Sequence, residues 1–297
     1  MQKRSLQSLS LLRRQIFDNT MNRIDTILLC PKNDEESLQI IKIAQALEIP
    51  TLVSDQPHGA KLDKEQNLVE RLKGVSVDAS RVVIVEIPGP EVEQQLRNAG
   101  YEVTIVDHHR YDDLDRTNDK SSLEQFLETF DINDGQLVDL GFDPTMIRGV
   151  AAMDRGFLWE LKRIQPDKAL CDKAIEYYRD LTLEMGPERR AREEEVARQA
   201  WDARREQDGL IIVESEVSDV SFRDALSYLV AKTYDEPRQV VIRQGSRRMY
   251  VQDTDSAGAL HDRFGGFLFG GERCWGILVE GSRSLPSVDE VVQTVLE

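Results

Sequence analysis

Residues 101–115 read YEVTIVDHHRYDDLD, and the rest of the chain is organised around them. The alternating run EVTIVD (102–107) has the two-residue period of a strand, and Asp107, His108 and His109 follow at its end. The chain holds only four histidines, and two of them are adjacent here. Upstream, IDTILLC (24–30), PTLVSD (50–55) and SRVVIVEI (80–87) read as further buried strands. Between them, EESLQIIKIAQALEI (35–49) and PEVEQQLRNAG (90–100) have helical periodicity, with Gly100 as a helix stop. Strands that alternate with helices predict an α/β fold with a mostly parallel sheet and right-handed crossovers. In such sheets functional groups collect beyond the carboxyl ends of the strands, where Cys30, Glu86 and Asp107 all stand.

From about residue 145 the pattern turns helical, first PTMIRGVAAMDRGFLWELKRI and then KALCDKAIEYYRDLTLEM. Gly186-Pro187 breaks it, and ERRAREEEVARQAWDARRE follows as a charged helix with mixed signs at three- and four-residue spacing. Alternation restarts after Gly209, with strands near 210–215, 239–243, 248–252 and 275–280 and a helix near 221–232. The expected organisation is an α/β domain over 1–186, a linker helix over 187–206 and a smaller α/β domain over 207–297, the two domains facing each other across a cleft.

The 297 residues carry 38 Lys and Arg against 54 Asp and Glu, a formal charge of −16. Affinity for long nucleic acid rests largely on cationic side chains neutralising phosphates, so this balance argues against a long-DNA binder, duplex included. Residues 207–297 repeat the bias, with nine Lys/Arg against fifteen Asp/Glu. No apolar run approaches the roughly 20 residues of a membrane span. The start, MQKRSLQSLSLLRRQIF, places Arg13 and Arg14 inside its apolar stretch and reads as an amphipathic helix rather than a secretory segment; a transit peptide is the second reading. Cys30, Cys171 and Cys274 are odd in number and far apart, which suggests no disulfide framework and a cytoplasmic setting.

Asp34 and Glu36 follow the first strand, Glu86 ends a later one, and Asp107 and His108 end the next, while Asp154 lies in the helical AAMDRGFL. Each carboxylate alone reads as a turn or helix-start residue, and Asp34 and Glu36 could merely complement a helix N-terminus. As an ordered set, carboxylates with imidazole suit one or two hard or borderline divalent ions such as Mn²⁺ or Mg²⁺. Two such ions about 3.5–4 Å apart are a recurrent device for attacking phosphate esters.

The order and spacing resemble the DHH phosphoesterases, a group of single-strand exonucleases, oligonucleotide and cyclic-dinucleotide phosphodiesterases and pyrophosphatases. IVDHH matches the naming motif; AAMDRGFL looks like the segment around the family's last metal-binding aspartate, although Gly156 and Phe157 are adjacent here. FGGFLFGGERCWG (264–276) resembles the glycine-rich substrate loop of the associated C-terminal domain. The resemblance spans roughly 24–280. It implies metal-assisted hydrolysis, with Asp34, Glu36, Glu86, His108 and Asp154 as ligands and Cys30 as an additional one. It also implies Asp107, His108 and His109 as the catalytic triplet, with Asp107 orienting its histidine neighbour and His109 facing the substrate phosphate. Arg247, Arg248, Gly270 and Gly271 would bind substrate, an exposed hairpin surface being the other reading of the two arginines. The implied partner is a small phosphorylated molecule or short oligonucleotide, and a second copy of the chain is the one protein partner considered.

Departures from the family accompany the matches. Cys30 stands where the first motif has histidine, Glu36 and Glu86 where aspartates are usual, and Glu272 where the C-terminal loop ends in histidine. The site is therefore either retuned or decayed. A retuned site makes the chain a metal-dependent phosphoesterase; a decayed one makes it a protein that binds a nucleotide or phosphate ligand in a regulatory role. Two Asp-to-Glu replacements that keep charge favour the first.

Overall fold

The computed structural model describes residues 25–297 except 112, 184–185, 271–272 and 282. The amphipathic helix expected at the N-terminus lies outside the described residues. The chain divides into two compact units, Met1–Asp154 with Asp172–Thr182 and Arg155–Cys171 with Leu183–Glu297.

In the first unit, strands β1 (Thr26–Pro31), β2 (Thr51–Ser54), β3 (Arg81–Val85) and β4 (Glu102–Val106) form a sheet in the order β2-β1-β3-β4, parallel throughout. The helices α1 (Glu35–Ala46), α2 (Leu68–Val75) and α3 (Pro90–Asn98) lie between successive strands in the chain. Side chains alternate across a strand, so each face of the sheet builds its own core. Leu28, Val83, Val85 and Val106 pack with Ile40 and Ile43 of α1. Ile27, Leu29, Val82 and Ile84 pack with Leu68, Leu72 and Leu96. Every residue of β1 is buried, which is why it reads as a continuous apolar run.

Beyond β4 come α4 (Ser122–Thr129), α5 (Asp134–Asp139), α6 (Pro144–Ile164) and α7 (Lys168–Asp180). A capping box of Ser121 and Glu124 starts α4, whose Leu123 and Phe126 join Ile147, Val150 and Ala151 of α6 against the α1 face. Helical periodicity runs unbroken through α6 in the sequence, yet the backbone kinks at Gly156 and Phe157, the latter at φ +55° and ψ −144°.

The second unit holds β5 (Arg205–Gln207), β6 (Leu210–Ser215), β7 (Val240–Gln244), β8 (Arg248–Gln252), β9 (Phe267–Phe269) and β10 (Cys274–Leu278). Their order is β5-β6-β7-β8-β10-β9, with only β6 and β7 parallel. Its helices are α8 (Pro187–Asp202), α9 (Arg223–Thr233), α10 (Ala257–Phe264) and α11 (Val288–Leu296). The helix expected as a linker, α8, is a packed element of this unit: Val196, Ala197, Ala200 and Trp201 join Ile211 and Val213 of β6 and Leu226 and Val230 of α9. Its outer face carries the ion pairs Arg189–Glu193, Arg190–Glu194 and Arg198–Glu195. Residues 155–171, expected with the first domain, also belong here; Trp159 Nε1 donates to Asp253 Oδ2 at 2.8 Å and Lys162 Nζ to the Tyr234 carbonyl at 2.9 Å. Among the described residues no helix is long and apolar enough to cross a membrane.

Candidate metal centre

The candidate centre assembles in the first unit, beyond the carboxyl ends of its strands. After β1 the chain enters α1, whose N-cap is Asp34; its Oδ1 accepts the Ser37 N–H at 2.7 Å. Two residues on, Glu36 is 1% exposed. Its Oε1 accepts the Leu123 N–H at 2.9 Å, satisfying an otherwise free donor in the first turn of α4, and its Oε2 has no hydrogen-bond partner. At the end of β3 the Glu86 N–H donates to the Val106 carbonyl at 3.0 Å, extending the ladder with β4 by one residue. Glu86 itself then turns away at φ +50°. His108 follows β4, and Asp154 lies on α6 just before the kink.

Four side chains converge here. Ligand atoms of Glu36, Glu86, His108 and Asp154 all lie within 4.8 Å of one another. His108 Nε2 stands 2.8 Å from Asp154 Oδ2 and 3.4 Å from Glu86 Oε1. These approaches are ion pairs rather than well-formed hydrogen bonds: Glu36 Oε2, Glu86 Oε1, His108 Nε2 and Asp154 Oδ2 are all buried and none makes a hydrogen bond. A buried polar atom left unsatisfied costs about 1–3 kcal/mol, more when charged. Four of them aimed at one place, three carboxylates and an imidazole, are a donor set that could hold a divalent cation. Burial, then the neighbouring Asp154 and Glu86, pushes the Glu36 carboxyl well above its ordinary range. Burial opposes charge on His108, but Asp154 and Glu86 outweigh it and raise its pKa to about 10.

Asp107 is buried and belongs to a different network. Its Oδ1 accepts the His109 N–H at 3.1 Å and lies 3.1 Å from His109 Nδ1. Its Oδ2 accepts from the Tyr111 hydroxyl at 3.0 Å and from Arg116 Nη1 at 3.4 Å. Arg116 also pairs with the buried Glu93, and Gln125 Nε2 donates to the Asp107 carbonyl at 3.0 Å. Burial would raise the Asp107 pKa, yet the His109 and Tyr111 bonds hold it below the ordinary value. The His109 ring is half exposed and 3.8 Å from Glu86 Oε1. Burial works against its charge, but Asp107 and Glu86 carry its pKa upward.

The structure thus brings together Glu36, Glu86, His108 and Asp154, with Asp107 and His109 beside them. Cys30 and Asp34, expected as ligands, fall outside the set. The Cys30 thiol is fully buried and faces the Pro31 and Ser37 carbonyls at 3.6 and 3.7 Å, and Asp34 caps α1. Sequence reasoning did not find Tyr111, Arg116, Gln125 or Glu93; the dense alternation of charge in HHRYDDLDR was the only signal.

Of the expected substrate-binding residues, His109 lies in the first unit and Arg247, Arg248 and Gly270 in the second. Arg247 is exposed, and Arg248, on β8, has a buried Nη1 without a hydrogen-bond partner. Gly270 sits at φ +58°, and a Cβ there would meet Cys274 Sγ at 3.1 Å. In the same stretch Gly266, at φ +97°, leaves 2.2 Å between a Cβ and the Gly276 carbonyl oxygen, so the close approach to β10 requires glycine there. Gly271 and Glu272 lie outside the described residues.

No family model matches the chain, and no curated protein matches it. Solved structures do. The exonuclease RecJ bound to manganese is 13% identical, with 86% of each chain covered and a TM-score of 0.38. The pGpG-specific phosphodiesterase PggH from Vibrio cholerae is 10% identical over 91% of this chain and 97% of its own, with a TM-score of 0.45. An uncharacterized protein from Helicobacter pylori G27 is 12% identical over 91% and 98%, with a TM-score of 0.34.

Proposed function

We propose that the chain is a phosphoesterase that uses a divalent cation, Mn²⁺ or Mg²⁺, to hydrolyse a small phosphoester, a dinucleotide or a short oligonucleotide. One observation carries this reading: four buried donor atoms, from Glu36, Glu86, His108 and Asp154, converge with no hydrogen-bond partner among them. The motif order that resembles the DHH phosphoesterases supports it from the sequence. A cation held there would polarise a phosphoryl oxygen and lower the pKa of a bound water.

The chain's own residues divide the remaining work. Asp107, fixed by Tyr111 and Arg116, holds Nδ1 of His109 and so fixes the orientation of the ring. The half-exposed His109, its charge favoured by Asp107 and Glu86, is placed to meet a phosphate oxygen beside the quartet. The Leu123 N–H pins Glu36, so one of its oxygens is anchored while the other faces the centre. Arg248, with its unpartnered Nη1, is the basic group in the second unit best suited to an anion. The net charge of −16 matches a short substrate rather than a long polymer.

Chelator-stripped protein should take up Mn²⁺ in a titration calorimeter and then hydrolyse at least one short phosphodiester in a substrate screen. No uptake would overturn the proposal. Uptake without hydrolysis of any phosphoester would replace it with the regulatory binding protein.

A further inference from the structure

Resting on the metal-centre reading above, we infer that the centre holds a single ion per chain, because Asp34 and Cys30, the donors left over for a second ion, join neither group of donor atoms close enough to share one. Two donors on opposite sides of one Mg²⁺-sized ion stand about 4 Å apart, given metal–oxygen distances of about 2.0–2.1 Å. Ligand atoms of Glu36, Glu86, His108 and Asp154 all lie within 4.8 Å of one another, close enough to gather around one ion. A two-ion site is wider: ions about 3.5–4 Å apart need a second set of donors around a shared carboxylate.

Among the described residues one other group of donors has metal-like spacing, Glu86, His108 and His109. It shares two of its three members with the quartet, and Nδ1 of the third lies 3.1 Å from Asp107 Oδ1. The other residues that follow β1 serve different ends. Asp34 Oδ1 takes the Ser37 N–H at 2.7 Å, closing the first turn of α1. Cys30 is sealed from solvent, with its sulfur 3.6 and 3.7 Å from two backbone carbonyls, partners for a thiol proton and repellent to a thiolate. Asp34 and Cys30 therefore build the β1–α1 turn that presents Glu36, and Glu36 is the residue of this turn that reaches the ion.

The full chain, stripped with chelator, reloaded with Mn²⁺ and freed of excess by gel filtration, should carry one ion by elemental analysis. Its paramagnetic resonance spectrum should be that of isolated rather than exchange-coupled Mn²⁺. Asp34→Asn, which keeps a capping side chain, and Cys30→Ala should leave that stoichiometry unchanged. Glu36→Gln and Asp154→Asn should each weaken binding, by about a hundredfold or more if the carboxylate is a direct ligand. Two ions per chain, an exchange-coupled spectrum, or loss of an ion in Asp34→Asn or Cys30→Ala overturns the single-ion inference and leaves the metal centre standing. No ion in the parent chain overturns the metal centre itself.

Discussion

Glu86 occupies left-handed backbone angles, a conformation that costs a residue with a side chain about 1–3 kcal/mol. The cost falls where β3 ends and its side chain turns toward Asp154, His108 and Glu36, so strain and donor convergence coincide at one residue. Two substitutions separate the effects. Glu86→Ala should abolish Mn²⁺ uptake while keeping the strained backbone. Glu86→Gly should lose the metal equally but exceed Glu86→Ala in stability by about 1 kcal/mol, because glycine accepts positive φ. Denaturant melts of the chelated proteins check this; equal midpoints would show that the turn is unstrained.

His108 supplies a pH dependence. Its pKa in the fold, about 10, exceeds its ordinary value of 6.5. A raised imidazole pKa stabilises the metal-free fold fully below about pH 6.5, and that stabilisation is lost as pH rises through about 10. Glu36, raised by burial, acts in the same direction, since the fold favours its protonated form. Chelated protein should therefore melt at a lower temperature near pH 9 than near pH 6, by on the order of a few kcal/mol of stability. Mn²⁺ uptake should release protons and strengthen with pH over the same window. A flat melting profile with pH would sink the His108–Asp154 pairing. At this scale the sequence exposed the carboxylates and imidazoles that end strands. It could not tell where each side chain would point once its helix turn formed, and that is why Asp34, which caps α1, left the ligand set while Glu36 stayed in it.

Among the elements, α6 departs most from its own periodicity. The apolar pattern of residues 144–164 passes straight through Gly156 and Phe157, because a pattern records which face is buried and not whether the axis continues. The adjacent Gly-Phe, already out of step with the motif that the segment resembles, was the visible sign. A Cβ on Gly156 would come within 2.7 Å of Glu160 Cβ, so the kink closes only around glycine. Gly156→Ala should cost about 1–3 kcal/mol. Because Asp154 lies two residues before the kink, it should also weaken Mn²⁺ binding measurably. Unchanged metal affinity would mean that Asp154 is held by the body of α6 alone. The helix α8 hid a different feature: Val196, Ala197, Ala200 and Trp201 are a narrow apolar stripe among charges, and the charges dominated its reading. Strands β5 and β9 are three residues each, too short to show alternation.

For the whole molecule, the α/β class and the restart of strand periodicity after Gly209 were legible because buried strands and amphipathic helices leave periodic traces. The division of the chain between its units was not, since no composition shift marks residues 155–171 or 172–182. That division has a consequence for how such a gene can be made and remade. Residues 172–182 return to the first unit after 155–171 have joined the second. On return, the Tyr177 hydroxyl donates to Gln39 Oε1 at 2.6 Å, the Thr182 hydroxyl donates to Glu35 Oε1 at 3.1 Å, and Leu181 enters the α1 core. A nascent chain leaving the ribosome has all four parallel strands long before the last cover for α1 emerges, so the first unit completes itself only once part of the second has been synthesised. Recombination meets the same obstacle: no single crossover can exchange one unit and leave the other whole, and the two must be inherited together.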